Sequence, residues 1–174
     1  MRFLTFALLL TSASFVSTAA AQTPNPIVTS SKASFAEVKD YVLRSAEKVP
    51  EPLWSFKPAP DVRSFGQLVA HIADGQYEIC GALGKPVDKG VEKNFKDKAT
   101  TIAALKEAFG YCDEFYKTMT DANAGQMVTM FGQKSSKIGV LETNTQHTNL
   151  HYGNMITYMR IKGIVPASSE PRKP

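Results

Sequence analysis

The chain has 174 residues, a formal net charge of +4, 43% hydrophobic residues, two cysteines and three histidines. That length suits one ordinary domain with a single core and leaves no room for two. Its charges are dispersed, with Lys85, Lys89, Lys93, Lys96 and Lys98 alternating with Asp88, Glu92 and Asp97, so no clustered basic surface for nucleic acid is expected.

Met1 and Arg2 open a mostly apolar stretch from Phe3 to Val16, and Ala19-Ala20-Ala21 precede Gln22. This is the charged, apolar, A-x-A layout of a cleaved secretory signal. The stretch is about 14 residues, short of the roughly 20 that cross a bilayer as a helix. Residues 1–21 are therefore expected to be removed, leaving an exported domain over 22–174, periplasmic or extracellular. No cysteine follows the cleavage point to carry a lipid, and no later apolar run has membrane length. No membrane association is expected after cleavage.

After a polar, Pro-containing lead-in (22–30), Phe35, Val38, Val42, Ala46 and Val49 recur at helical spacing and predict a helix from about Ser31 to Lys48. Pro50 and Pro52 end it. The connector to Arg63 carries Leu53, Trp54 and Phe56, too much apolar surface to dangle, so it should pack over the other elements. Ser64 and Gln67 fit a capping box that starts a second helix, with Leu68, Val69, Ile72, Ile79 and Leu83 on its apolar side. Gly81 or Gly84 ends it.

A polar connector from Gly84 to Thr100 is long enough to cross the length of a bundle, so the second and third helices need not be antiparallel neighbours. The third helix starts near Thr100 or Thr101 and places Ile102, Leu105, Phe109, Cys112, Tyr116 and Met119 on one stripe. Residues 121–136 read as irregular, with 128–131 extended. The fourth helix runs from about Ser136 to Lys162, where Gly163 supplies a left-handed stop and Pro166 follows. No internal repeat and no strand set able to build a sheet is present. The fold expected is all-α, a four-helix bundle.

His147 and His151 are four residues apart, about 40° from each other on one helical face. Val140, Thr143, Asn144, Asn154 and Tyr158 share that face; Leu150 flanks it on one side and Leu141, Met155 and Met159 on the other. A polar stripe between apolar flanks should point inward, where buried imidazoles need partners and a metal ion is one of them. His71, between the small residues Ala70 and Ala73 of the second helix, is the remaining imidazole. Three histidines would leave a tetrahedral ion one open position, the pattern of catalytic more than structural zinc. The bland alternative is three ordinary core or surface histidines.

The segment is not a zincin motif, because Thr148 stands where that motif needs Glu. Asp74 and Glu142 are the nearest carboxylates, each read more readily as an ordinary solvent-facing or hydrogen-bonding residue, so no catalytic base is assigned. Trp54, Tyr77 and Tyr158 can line a pocket or simply fill the core.

Cys80 lies about 180° round the second helix from His71 and roughly 13–14 Å along it, which makes it a poor ligand. In an exported chain, Cys80 and Cys112 are expected to form a disulfide. The loop closed is about 30 residues, for which the chain-entropy model gives roughly 3–4 kcal/mol. Two buried free thiols are the alternative.

Leu53-Trp54, Lys57-Pro58, the run from Arg63 to Ala73, the run from His147 to Asn154 and the run from Arg160 to Pro166 together resemble the DinB-like superfamily, over nearly all of the mature chain. The resemblance implies a four-helix bundle of unusual down-up-up-down connectivity. It also implies a divalent ion on His71, His147 and His151, with zinc the first expectation and nickel or iron as alternatives. Relatives of this kind include thiol transferases and isomerases that use low-molecular-weight thiols, and metal-dependent hydrolases. Such thiols are scarce outside the inner membrane, which argues against simply copying the transferase role, while a metal-bound water makes hydrolysis available. The expected activity is that of a metal-dependent hydrolase or thiol transferase on an unidentified small-molecule substrate. A non-catalytic metal-binding or stress-related bundle and a metal-free ligand-binding module remain the alternatives. A homodimer through exposed helix faces is compatible with the sequence.

Overall fold

The computed structural model describes residues 24–171, so the expected signal segment, 1–21, lies outside the described residues. Four long helices carry the fold: α1 (Pro26–Lys48), α2 (Phe65–Cys80), α3 (Lys98–Thr118) and α5 (Lys137–Ile161), with a single helical turn, α4 (Asp121–Ala124), before the last of them. Among the described residues no helix is long and apolar enough to cross a membrane.

Side-chain pairings set the direction of each helix. From the end of α1 back toward its start, Lys98 donates to the carbonyl oxygens of Glu47 and Val49, Phe35 meets Phe109 at 5.9 Å between ring centroids, and Ser31 meets Tyr116. α1 and α3 are therefore antiparallel. Tyr77 meets Tyr111, and Cys80 is bonded to Cys112, so α2 and α3 are parallel. Gln76 meets Asn144 and Thr148, His71 meets His151, and Phe65 meets Tyr158, so α2 and α5 are antiparallel. The pairings require α1 and α5 to run together. This is an all-α, four-helix bundle in which the first and last helices point one way and the middle two the other.

Only the α2–α3 connection must return along the whole bundle. A helix of the length of α2 is roughly 24 Å long, a span within the reach of the segment 84–97. Trp54 meets Phe65 edge-on in the core and stacks with Phe95 from that segment. The connector between α1 and α2 thus packs inward, as its apolar content predicts; Trp54 is buried and donates its indole N–H to the oxygen of Val49.

Local chemistry sets several boundaries where the sequence places them. The Ser64 hydroxyl accepts from Gln67 N, and the Gln67 side chain accepts from Ser64 N, the reciprocal cap of α2. At the end of α5, Gly163 has φ 69°; its N–H bonds the oxygen of Arg160 and that of Ile164 bonds the oxygen of Met159. That pair is the Schellman closure, and the left-handed conformation favours glycine there. Asp97 accepts from Thr100 N and starts α3 two or three residues before the predicted position.

Two expectations are corrected. α1 begins at Pro26, not near Ser31, because the Asp121 carboxylate accepts from Ile27 N at 3.1 Å and Val28 N at 2.9 Å. The open N–H groups of its first turn are capped from a distant part of the chain. Residues 127–136 also form a small hairpin, β1 (Met127–Met130) with β2 (Gln133–Ser136), turning on Phe131 and Gly132, both with positive φ. The two-residue turn with both φ positive matches strand twist. It decorates the bundle and leaves the fold class unchanged.

Cys80 and Cys112 are joined, with Cα atoms 5.7 Å apart, and both are fully buried. The bridge ties together the parallel pair, whose connection must return along the bundle.

Candidate metal centre

α2 and α5 cross with small and polar residues between them. Gln76, fully buried on α2, donates to Thr148 Oγ1 at 2.9 Å and accepts from Asn144 Nδ2 at 2.7 Å. Thr148, the residue that breaks the zincin pattern, is a structural partner in this network. One residue earlier on α2, Gly75 leaves room for a ring: an added Cβ would lie 2.7 Å from His147 Nδ1 and 3.3 Å from its Nε2. The helix backbone itself forms the wall behind His147.

These contacts bring the three predicted imidazoles together. Ring centroids are 4.6 Å apart for His71 and His151, 5.3 Å for His71 and His147, and 4.5 Å for His147 and His151. One nitrogen from each ring lies within 4.8 Å of one from the other two. All three side chains are half-buried. His147 Nδ1 and His151 Nδ1 are buried with no hydrogen-bond partner. Burial, followed by the neighbouring histidines and the positive charge of Arg63, pushes both rings down to about 4. At neutral pH they are uncharged and carry free lone pairs. Unpartnered, neutral, convergent imidazoles are the donor set that a divalent transition ion takes. The residues fit such an ion.

His71 is oriented from outside the cluster. Its Nδ1 is 3.0 Å from Glu92 Oε2, and Glu92 Oε1 accepts from Arg63 Nε at 2.7 Å. With Glu92 accepting the Nδ1 proton, Nε2 of His71 keeps its lone pair, the arrangement by which a carboxylate fixes the tautomer of a ligating histidine. Asp74 in turn accepts from the backbone N–H groups of Val91 at 2.7 Å and Glu92 at 2.8 Å, pinning the segment that carries Glu92. Asp74 is thus a clamp and not a base. Among the described residues, Glu142 does not join the three histidines as a possible ligand.

Sequence reasoning read Glu92 as one of several solvated loop charges. No local signal marks it, since it reaches His71 only through the return of the 84–97 segment. Asp74 was legible as a neighbour, being three residues after His71 on the same helix.

Of the three histidines, His151 lines a cleft of about 570 Å3, together with Lys57, Arg63, Glu92, Asn154 and Tyr158 among others. Of the three aromatics named above, only Tyr158 lines it; its hydroxyl donates to the oxygen of Arg63 at 2.8 Å. Trp54 belongs to the core, and Tyr77 lines a separate groove beside Lys89 and Glu107. Leu150, expected to flank the buried stripe, is 66% exposed; the inward face of α5 is shifted toward Leu141, Thr148, Tyr152 and Met155.

The family model for the DinB superfamily matches residues 34–155. No curated protein matches the chain. Solved structures share its fold, among them these three. A DinB-like protein of Bacillus cereus superposes with a TM-score of 0.67 at 17% identity, covering 83% of this chain and 97% of its own. A DinB-like protein of Bacillus subtilis gives 0.65 at 20% identity, covering 82% and 99%. The YfiT protein of Bacillus subtilis, described as a probable metal-dependent hydrolase with an unusual four-helix bundle topology, gives 0.64 at 15% identity, covering 84% and 93%.

Proposed function

The chain belongs to the DinB superfamily, and from that premise we propose that it is an exported metal-dependent hydrolase holding one divalent ion on His71, His147 and His151. Zinc is the first candidate, with nickel or iron as alternatives. The observation that carries the reading is the convergence of three imidazoles within 4.8 Å, two of them with buried nitrogens that have no partner. The likeness to YfiT, described as a probable metal-dependent hydrolase, supports the reaction class.

A divalent ion bound there supplies Lewis acidity and acidifies a coordinated water. The protein's own groups supply position. Glu92 holds the Nδ1 proton of His71 and turns its other nitrogen inward, while Arg63 and the Asp74 clamp hold Glu92. Gly75 and the Gln76–Thr148 contact set the depth of His147. Both oxygens of Glu92 are engaged, which leaves it a positioning residue. The cleft beside His151 admits a small molecule.

Export rests on residues 1–21 and accords with the disulfide, since such bonds persist in oxidising compartments. N-terminal sequencing of the product recovered outside the cytoplasm should begin at Gln22.

Elemental analysis of protein purified without a histidine tag is the decisive test. About one equivalent of zinc, nickel or iron is expected, and less than a tenth in His147→Ala. Metal-dependent turnover is expected from a panel of esters, amides and phosphoesters. Protein that takes up no ion after reconstitution would end the reading, and ion uptake without turnover would leave a metal-binding bundle.

A further inference from the structure

Arg63 is held at two points and idle at a third. Its backbone oxygen accepts from the Tyr158 hydroxyl, and its Nε donates to Glu92. Its two terminal nitrogens, Nη1 and Nη2, make no hydrogen bond among the described residues, although the side chain lines the cleft that His151 also lines. A guanidinium whose orientation is already set presents those N–H groups as a preorganised fork for a carboxylate or phosphate. Lys57 adds a second cation to the same cleft. Of the carboxylates lining it, Glu92 is occupied by Arg63 and His71, which leaves Asp61, exposed on the connector.

We propose that the substrate carries an oxyanion, a carboxylate or phosphate, which Arg63 binds through Nη1 and Nη2 with Lys57 beside it. This deepens the proposed hydrolase reading and rests on it for the reacting centre. Anchoring at Arg63 places the rest of a small molecule along the cleft toward His151. Arg63 therefore has two jobs: it steadies Glu92 through Nε and selects the ligand's charge through its terminal nitrogens.

The test measures binding of inorganic phosphate, acetate and uncharged acetamide to zinc-loaded and metal-free protein by calorimetry. Phosphate or acetate should bind the wild type at least tenfold more tightly than acetamide does. Arg63→Gln should lose at least tenfold in anion affinity, Arg63→Lys should fall between, and Lys57→Gln, an exposed change, should lose about threefold with the fold intact. Anion affinity indifferent to Arg63→Gln overturns the proposal, whatever Lys57→Gln does, as does failure of both anions to bind. Zinc content read on the same samples separates the two readings. Protein without zinc uptake defeats the metal centre, and the anion site is then judged on the metal-free protein, where the loss in Arg63→Gln should persist.

Discussion

A Cβ added to Gly75 would fall 2.7 Å from Nδ1 of His147, so the α2 backbone and the imidazole ring touch with nothing between them. A glycine inside a helix normally costs about 1 kcal/mol relative to alanine. Its presence at this crossing is explained by the ring it accommodates.

Gly75→Ala should therefore separate folding from metal binding. If the position were mere filler, the substitution would stabilise the protein by about 1 kcal/mol. In the metal-free protein His147 can swing aside, so stability should change little. Zinc affinity should drop at least tenfold, because the displaced ring cannot meet the other two; competition with a chromophoric chelator measures it.

Glu92→Ala removes the acceptor that orients His71. Loss of such an outer partner costs roughly 10–100-fold in metal affinity. Asp74→Ala frees the backbone N–H groups of Val91 and Glu92 and should give a smaller loss in the same direction. Equal affinities in wild type and Glu92→Ala would show that His71 needs no such support.

The metal-free protein should lose stability in mild acid. His147 and His151 sit at about 4 in the folded state against an ordinary value of 6.5, chiefly through burial. Above pH 6.5 neither folded nor unfolded chain protonates them, and their contribution to stability is fully present. As pH falls from 6.5 toward 4, the unfolded chain binds protons that the folded one refuses, so stability declines across that window. Urea midpoints at pH 7.5 and pH 5 should differ more in the wild type than in a His147→Asn, His151→Asn double variant.

Replacing Cys80 and Cys112 by Ser should cost roughly 3–4 kcal/mol in the chain-entropy model. Metal stoichiometry should stay the same, since the disulfide lies between α2 and α3 and the histidines lie between α2 and α5. Chemical unfolding, with a thiol titration of the denatured, unreduced wild type finding no free thiol, checks both halves.

How legible each feature was depended on the range of the interaction behind it. The Ser64–Gln67 cap, the Gly163 stop and the shared face of His147 and His151 join residues no more than five apart, and helical geometry alone produces them. The start of α1 was misjudged because its cap, Asp121, arrives from beyond α3. The hairpin went unread because Phe131-Gly132 lacks the Asn-Gly or Asp-Gly signature of its turn. Leu150 was placed on a buried flank by angle alone, whereas neighbouring helices decide which part of an apolar arc is covered.

The sequence by itself determined the helices, the all-α class and the three histidines able to hold an ion, because these follow from local periodicity and donor chemistry. Only the tertiary structure decided that α2 and α5 approach closely at Gly75, that Glu92 rather than Asp74 or Glu142 turns His71, and that Arg63 keeps two nitrogens for the cleft. Those outcomes depend on where a long connector lands and how helix faces interlock. Such contacts join residues remote in the chain, and no periodicity encodes them.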